Sequence, residues 1–482
     1  YPPIEGGVCA TNYWLAHGLA EAGHEVYVVT NAGEVEAAYR MTLEEADRDH
    51  LEPRFDSGGF VRLFDSEPLG RGKTTHIPQS NPFVSKLAST ATQVIREYGC
   101  DVIFGHYFEP YAVAGHLASG WTGVPMVVRH AGSDLDRLSK IPTLATTYKE
   151  MLRSSAGVVT RFAERFLGMG VPPERIFTSV RSGFPRRVFH PGAEPLDLLQ
   201  AIEERGWNPV AASGRGCPSF DPRRPTLGIY GKVGPVKGSF DLLHALSRLR
   251  REGLDFNLVA LTQGRGLAQF RAVAGKLPIA DRIWVLPFIP HWRIPGFIRA
   301  CQAVCFLERD FPIKIHTPRV ALEVLACGTC LVVSREIAAK QIFRDDIVDR
   351  TNALVVEDPK DHAELADQLR FVISNPDRAR AIGALGHELC EVPGDYAAFI
   401  EGYEELFRRA TGQPASSLDL VGPMTDHHRD GIRAGGLDGH APEGRDLASV
   451  GCRARHQRAV LVHGHRPRRG GHRPGWCRRR RW

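Results

Sequence analysis

No apolar run in the 482 residues comes near the roughly 20 that a membrane-crossing helix needs. These residues therefore predict no membrane-crossing helix of their own. An excess of one charge is also missing from most of the chain. The net +6 is concentrated after residue 410, where 14 Arg, no Lys and 6 Asp plus Glu give +8 and leave −2 for the rest. The body therefore offers no sequence-wide basic surface for nucleic acid. Paired cysteines are scarce. Of ten cysteines, Cys100, Cys301, Cys305, Cys327 and Cys330 sit in or beside apolar runs, as reduced, buried cysteines do. Cys327-Gly-Thr-Cys330 has CxxC spacing, but no second pair or His cluster lies at zinc-ribbon distance, so it reads as packing rather than metal or redox chemistry. This usage predicts a reducing, cytoplasmic setting. The chain opens on Tyr1-Pro-Pro-Ile-Glu-Gly-Gly7 with no strand before it, which predicts that an N-terminal piece precedes it.

What is present is an alternation of buried strands and helices. Helical spacing over 7–22 leads to a strand at 25–29. Strands follow at 101–105, 125–129 and 157–160, with helices at 84–98, 113–118 and 164–167 between and after them. From 191 to 225 the pattern lapses into Gly, Pro and polar residues, which predicts a linker with an insertion. It resumes with strands at 226–230, 257–261, 283–286, 303–307, 331–333 and 353–356, separated by helices. Such alternation predicts parallel α/β sheets. The expected division is a first domain over 1–190 lacking its first strand, the linker at 191–225, a second domain over 226–390, a terminal helix at 391–410 and a disordered tail at 411–482. The tail has seven His and ends in four consecutive Arg at 478–481. Arg without Lys fits a GC-rich stretch read in a shifted frame, or else a basic tail that touches RNA or anionic lipid.

The candidate chemistry lies at strand ends. Gly231-Lys-Val-Gly-Pro-Val-Lys-Gly-Ser239 follows a strand and opens a helix, so its glycines admit a diphosphate that Lys232 and Lys237 can neutralise. Lys237 precedes its Gly, so this is not a Walker loop. Gly6 and Gly7 open the first helix with exposed backbone N–H groups. His106 and His130 end neighbouring strands, and Asp134 follows in Gly132-Ser-Asp134. In Pro318-Arg-Val-Ala-Leu-Glu-Val-Leu-Ala-Cys-Gly328, Thr317 is the expected cap, Pro318 the first helical residue and Gly328 the stop. Glu323 inside that helix needs a partner, and a ribose diol would supply one.

Six such motifs, in order, resemble family-4 glycosyltransferases, which are retaining enzymes of the two-Rossmann-domain GT-B architecture. They are the Pro-Pro-x-x-Gly-Gly opening, Leu19-Ala-x-x-Gly-His-Glu-Val26, His130-Ala-Gly-Ser-Asp134, Gly170-Val-Pro172 through Phe189-His-Pro191, Lys237-Gly238, and Leu322-Glu-x-x-Ala-x-Gly328. The resemblance covers Tyr1 to about Arg409. Two positions depart from the family. Lys232 stands where members usually carry Arg, and Ile315 where many carry a Glu eight positions before the ribose-binding one. Lys314 or His316 is expected to take over contacts to sugar or diphosphate.

The resemblance implies two doubly wound parallel-sheet domains facing a cleft, and transfer from a nucleotide diphosphate-sugar with retention. His130, Lys237 and Glu323 would be catalytic. Gly6, Gly7, Lys232, Lys237, Lys314, His316, Thr317 and Glu323 would bind donor, and His106 and Asp134 would line the remaining cleft. No cofactor and no metal are expected, because lysines and helix dipoles take the metal's place and no Asp-x-Asp pair is expected in cleft-facing segments. The acceptor is open: a glycan, a lipid or a small molecule. A lipid acceptor would allow peripheral membrane contact. A nucleotide-sugar 2-epimerase of the same fold, and a non-catalytic nucleotide-sugar-binding protein, are the alternatives.

Overall fold

The computed structural model describes residues 1–66, 82–180, 183–204, 210, 219–390, 396–413 and 458–462. Short runs of β-branched and other apolar residues, buried on both faces, form two all-parallel sheets. The first holds β1 (Glu25–Thr30), β2 (Phe60–Asp65), β3 (Val102–His106), β4 (Met126–Arg129), β5 (Gly157–Val159) and β6 (Ile176–Phe177). The second holds β7 (Thr226–Tyr230), β8 (Asn257–Leu261), β9 (Ile283–Leu286), β10 (Ala303–Phe306), β11 (Cys330–Ser334) and β12 (Leu354–Val356), in the order β12-β11-β10-β7-β8-β9. Strand order reverses between β7 and β10, and ligands bind beyond the carboxyl ends of strands at such a switch point.

The seventh strand of the first sheet comes from the far end of the chain. β13 (Arg458–Val462) inserts between β1 and β3, giving β2-β1-β13-β3-β4-β5-β6. Val460 pairs with Tyr27 on one side and Ile103 on the other. Ala459, Val460, Leu461 and Val462 are all buried. The central position of the first sheet, for which the sequence offers no strand ahead of Tyr1, is thus filled by 458–462. The apolar quartet is short and set among Arg and His, so periodicity over a longer window misses it. Arg458 fixes the register. Its Nε lies 3.0 Å from Glu25 Oε2, and its N–H donates to Asp101 Oδ2 at 2.7 Å. Residues 414–457 and 463–482 of the tail, the 391–395 segment, much of the linker and residues 67–81 lie outside the described residues.

The seven cysteines among the described residues are buried free thiols, in keeping with packing. The helix Tyr396–Ala410 returns to the first sheet. Its Tyr403 packs edge-on against Phe104, with ring centroids 5.4 Å apart, and accepts a hydrogen bond from Arg129 Nη1 at 2.6 Å. No helix among the described residues is long and apolar enough to cross a membrane.

Candidate functional site

The loop after β7 carries the two lysines. Gly231 and Gly234 have positive φ, and added Cβ atoms there would meet open space. Gly238 is different: φ is +66° and a Cβ would lie 2.1 Å from Leu307 O. Only glycine lets this loop rest on the end of β10. Tyr230, Lys232, Lys237, Ser239, Phe306 and Leu307 line one pocket at the switch point. The helix Ser239–Arg251 starts at its rim.

Lys237 pairs with Glu308, a buried carboxylate just beyond β10, and lies 4.3 Å above the Phe311 ring. The other Glu308 oxygen is 3.1 Å from His316 Nε2, while His316 Nδ1 contacts Ile313 O at 3.1 Å. Burial pushes the Glu308 pKa up, but His316 and Lys237 outweigh it and leave it below the ordinary value. Lys232 reaches toward the first domain, its Nζ 3.8 Å from Glu5 Oε2 and 5.3 Å over the Tyr39 ring.

Gly6, with φ +144°, precedes the helix α1 (Gly7–Glu21). No side chain caps α1, and Cβ atoms on Gly6 or Gly7 would meet open space. The first N–H groups of this fifteen-residue helix thus have no side-chain cap, and the helix starts two residues after Glu5, which pairs with Lys232.

Glu323 is buried, as its apolar neighbours require, but both oxygens have protein partners. Tyr230 donates to Oε2 at 2.7 Å and His291 Nε2 to Oε1 at 3.0 Å; Arg319 Nε lies 4.0 Å away. His291 Nδ1 accepts from Trp14 Nε1 at 2.7 Å. An indole can only donate, so the imidazole proton sits on Nε2 and points at Glu323. Burial raises the Glu323 pKa; His291, Arg319 and the Tyr230 hydroxyl together reverse this and hold it low. Tyr230 and His291 thus occupy the two positions that the resemblance gives to a ribose diol. Tyr230, which donates to Glu323, lines the same pocket as Lys237. The Glu5 carboxylate senses Lys232, Lys237 and His291 at once, and His291 is bonded to Glu323.

The helix of Glu323 is shorter than expected. It spans Val320–Ala326 with Arg319 as N-cap, so Thr317 does not cap it and Pro318 is not its first residue. Arg319 is drawn back instead, donating to Thr11 Oγ1 at 3.0 Å and Gly183 O at 2.8 Å in the first domain. Gly328 does end it, with φ +65°. Thr317 and Lys314 are exposed.

The first-domain residues divide. The His130 loop meets the second domain at Gly132, which lies against Ile313 and Ile315, while the imidazole itself packs against Phe162 and Phe166. Its Nε2 contacts Thr160 Oγ1 at 2.9 Å. Burial, helped by Arg129, Arg161 and Arg165, lowers its pKa to about 4. His106 and Asp134 were expected to line the cleft and do not. His106 is buried against Asn12 Oδ1 at 2.8 Å, and burial pushes its pKa well down. Asp134 is fully buried and accepts the N–H groups of Phe108, Ala131 and Leu135 at 3.1, 3.0 and 2.8 Å. It ties the loops after β3 and β4 together. Asp134-Leu-Asp136 is itself an Asp-x-Asp pair, but Asp134 is buried in the loops and Asp136 turns to Arg165 at 2.9 Å. Among the described residues no group of three or more His, Cys, Asp or Glu is arranged to hold a metal ion.

Sequence reasoning missed Glu5, Tyr230, His291, Glu308 and Arg319. Glu308 carried a usable signal, a carboxylate directly after an apolar strand. His291 and Trp14 carried none, being 277 positions apart.

Comparison with known proteins agrees with this layout. Residues 6–178 match the glycosyl transferase 4-like domain, and residues 218–388 match glycosyl transferases group 1. The chain is 24 % identical over 357 residues to α-maltose-1-phosphate synthase of Mycolicibacterium smegmatis, covering 69 % of this chain and 85 % of that protein. It is 23 % identical to D-inositol 3-phosphate glycosyltransferase of Segniliparus rotundus, covering 78 % and 82 %. Among solved structures, sucrose-phosphate synthase of Thermosynechococcus elongatus aligns with a TM-score of 0.55 at 17 % identity, over 84 % of this chain and 94 % of that one. Anabaena Alr3699/HepE, in complex with UDP-glucose, gives 0.52 at 17 % identity, over 79 % and 98 %. The structural likenesses show the two-domain fold.

Proposed function

We propose a reaction for this chain from the premise that it belongs to the family-4 glycosyltransferases of the GT-B fold: transfer of a sugar from a nucleotide diphosphate-sugar to an acceptor hydroxyl, with retention of configuration and without a metal. One observation carries this reading. Lys232 and Lys237 line one pocket, and Lys232 reaches to within 3.8 Å of Glu5, just before the uncapped start of α1. Negative charge grows on the diphosphate oxygen as the sugar bond breaks, and prearranged cations and N–H donors stabilise that state more than the ground state.

In this reading Lys232 and Lys237 hold the diphosphate, and Glu308 with His316 keeps Lys237 aimed. The ribose diol replaces Tyr230 at Glu323, while His291 keeps Glu323 oriented. His130 contacts the donor sugar as a neutral imidazole, and Lys314 and Thr317 border the donor from their exposed loop. The UDP-glucose bound to Alr3699/HepE supports a nucleotide-sugar donor here. The names of the two curated relatives and of sucrose-phosphate synthase support a small polar acceptor.

The test is turnover of a panel of nucleotide-sugars by the full chain and by Lys237→Ala and Glu323→Gln, with the products identified. Each variant is expected to fall by about 100-fold or more while its melting curve stays cooperative. Unchanged turnover in both would overturn the assignment. An epimerised free donor in place of a glycoside would overturn transfer.

A further inference from the structure

Glu5 puts a carboxylate where the proposed function needs an anion from outside. It directly precedes Gly6-Gly7, its N–H donates to Tyr39 O at 2.9 Å, and Cys9 lies beside it on α1. From the second domain it faces Lys232, Lys237 and His291. Its Oε2 is buried and forms no hydrogen bond, although Lys232 Nζ is only 3.8 Å away. Cβ atoms placed on Gly6 and Gly7, which follow it, would meet open space, as would one on Gly231 beside Lys232. The lysines therefore have two protein carboxylates, and these differ. Glu308 pairs with Lys237 through one oxygen, has His316 Nε2 3.1 Å from the other, and is held below the ordinary carboxylate value. Glu5 has an ion pair but no hydrogen bond, and room beside it.

We propose that Glu5 is the internal counter-ion of the diphosphate pocket, and that it takes up one proton as a nucleoside diphosphate settles between Lys232 and Lys237. This rests on the reading of those lysines as the diphosphate clamp. A diphosphate beside an ionised Glu5 would set like charges against each other within a poorly solvated crevice, and such pairs shed charge by binding a proton. The proton comes from solvent and adds to the carboxylate, and no other bond changes. The neutral carboxyl then donates its O–H to a phosphate oxygen. Burial, opposed by Lys232, Lys237 and His291, already raises the Glu5 pKa before any ligand arrives.

The experiment is calorimetric titration of the full chain with UDP, GDP and ADP from pH 5.5 to 8.5, in buffers of differing ionisation enthalpy, for the native chain, Glu5→Gln and Glu5→Ala. The native chain is expected to take up a proton on binding, and its affinity to fall by up to about tenfold per pH unit on the alkaline side. Glu5→Gln keeps the shape without the charge, and is expected to bind about tenfold more tightly than the native chain at pH 8 with a flatter pH profile. Titration of the diphosphate is common to all three proteins and cancels in the comparison. No buffer-dependent enthalpy in the native chain would overturn the proposal, as would parallel pH profiles for native and Glu5→Gln. That first readout needs no variant to fold. Failure of all three diphosphates to bind any of the proteins would overturn the clamp itself, and this inference with it.

Discussion

Two residues of the His130 loop respond to pH in opposite directions. Burial, with Arg129, Arg161 and Arg165 adding to it, holds His130 at about 4 against 6.5 for a free imidazole. Between those values the unfolded chain binds a proton that the folded chain refuses. The stability His130 contributes is therefore complete above pH 6.5 and is lost as pH falls toward 4. Asp134 is the reverse case. Burial raises it from 3.8 to about 7, against the backbone N–H groups of Ala131, Phe108 and Leu135 that favour the anion. Its contribution is complete below pH 3.8 and is lost as pH rises through about 7. Urea denaturation over a pH series is expected to show a shallower acid-side loss in His130→Asn. In Asp134→Asn the alkaline-side loss should vanish, but stability should drop by about 1–3 kcal/mol, because an amide nitrogen cannot accept the N–H groups held by the lost oxygen. Identical pH slopes in all three proteins would contradict both assignments. Neither effect was legible in the sequence. His130 and Asp134 looked alike there, as polar groups near strand ends, and only their surroundings separate an imidazole packed on Phe162 and Phe166 from a loop-tying carboxylate.

At the scale of elements, what the sequence revealed depended on length and continuity. Long buried runs such as Asn257–Leu261 and Cys330–Ser334 read directly as strands. Phe60–Asp65 carries Arg62, Ile176–Phe177 is two residues long, and Arg458–Val462 lies in Arg-rich text, so none of the three was read. The loop bearing Lys232 and Lys237 and the helix bearing Glu323 were read because each has its glycines and charge within one short segment. Tyr230, His291 and Trp14 complete the same site from segments far apart, and no spacing rule connects them. β13 gives the strongest consequence. β1 and β3 do not pair with each other but only through it. Each of its buried aliphatic residues contributes on the order of 1.5–3 kcal/mol, and its removal would also leave two ladders of backbone groups unpaired. Deleting residues 414–482 is therefore expected to unfold the first domain or to lower its melting temperature by about ten degrees or more, at roughly 2–4 °C per kcal/mol for a domain of this size. A synthetic peptide spanning 456–464 should restore part of that loss. A truncated chain that melts as the full chain does would show that the sheet does not depend on β13.

The whole molecule works only if its halves meet in one register, and the interface shows how that register is set. Its middle is apolar and aromatic: Tyr13 lies 4.9 Å from Trp292, and Phe189 lies 5.1 Å from His291. Polar contacts then fix the alignment, since apolar contact alone permits sliding. Trp14 donates to His291, Arg319 to Thr11 and Gly183 O, and Arg161 to Ile315 O at 2.7 Å. Away from the crevice, buried Asp47 of the first domain accepts Trp292 Nε1 at 3.0 Å and pairs with Arg293 Nε at 2.9 Å. Asp47→Ala leaves Trp292 and Arg293 without that partner and loosens the closed arrangement at a point that touches neither lysine nor Glu323. The residues proposed to hold the nucleotide, Lys232, Lys237 and Glu323, all belong to the second domain, whereas the N–H groups of α1 and His130 belong to the first. Nucleoside diphosphate affinity is therefore expected to change less than threefold in Asp47→Ala, because the second domain alone supplies those contacts. Turnover is expected to fall by about tenfold or more, because the leaving group meets α1 only when the halves close. Small-angle scattering should show a larger radius of gyration for the variant, reduced again by saturating nucleotide. Equal radii and equal turnover would mean that the aromatic contacts hold the halves without Asp47. A loss of nucleotide binding matching the loss of turnover would place part of the binding site in the first domain.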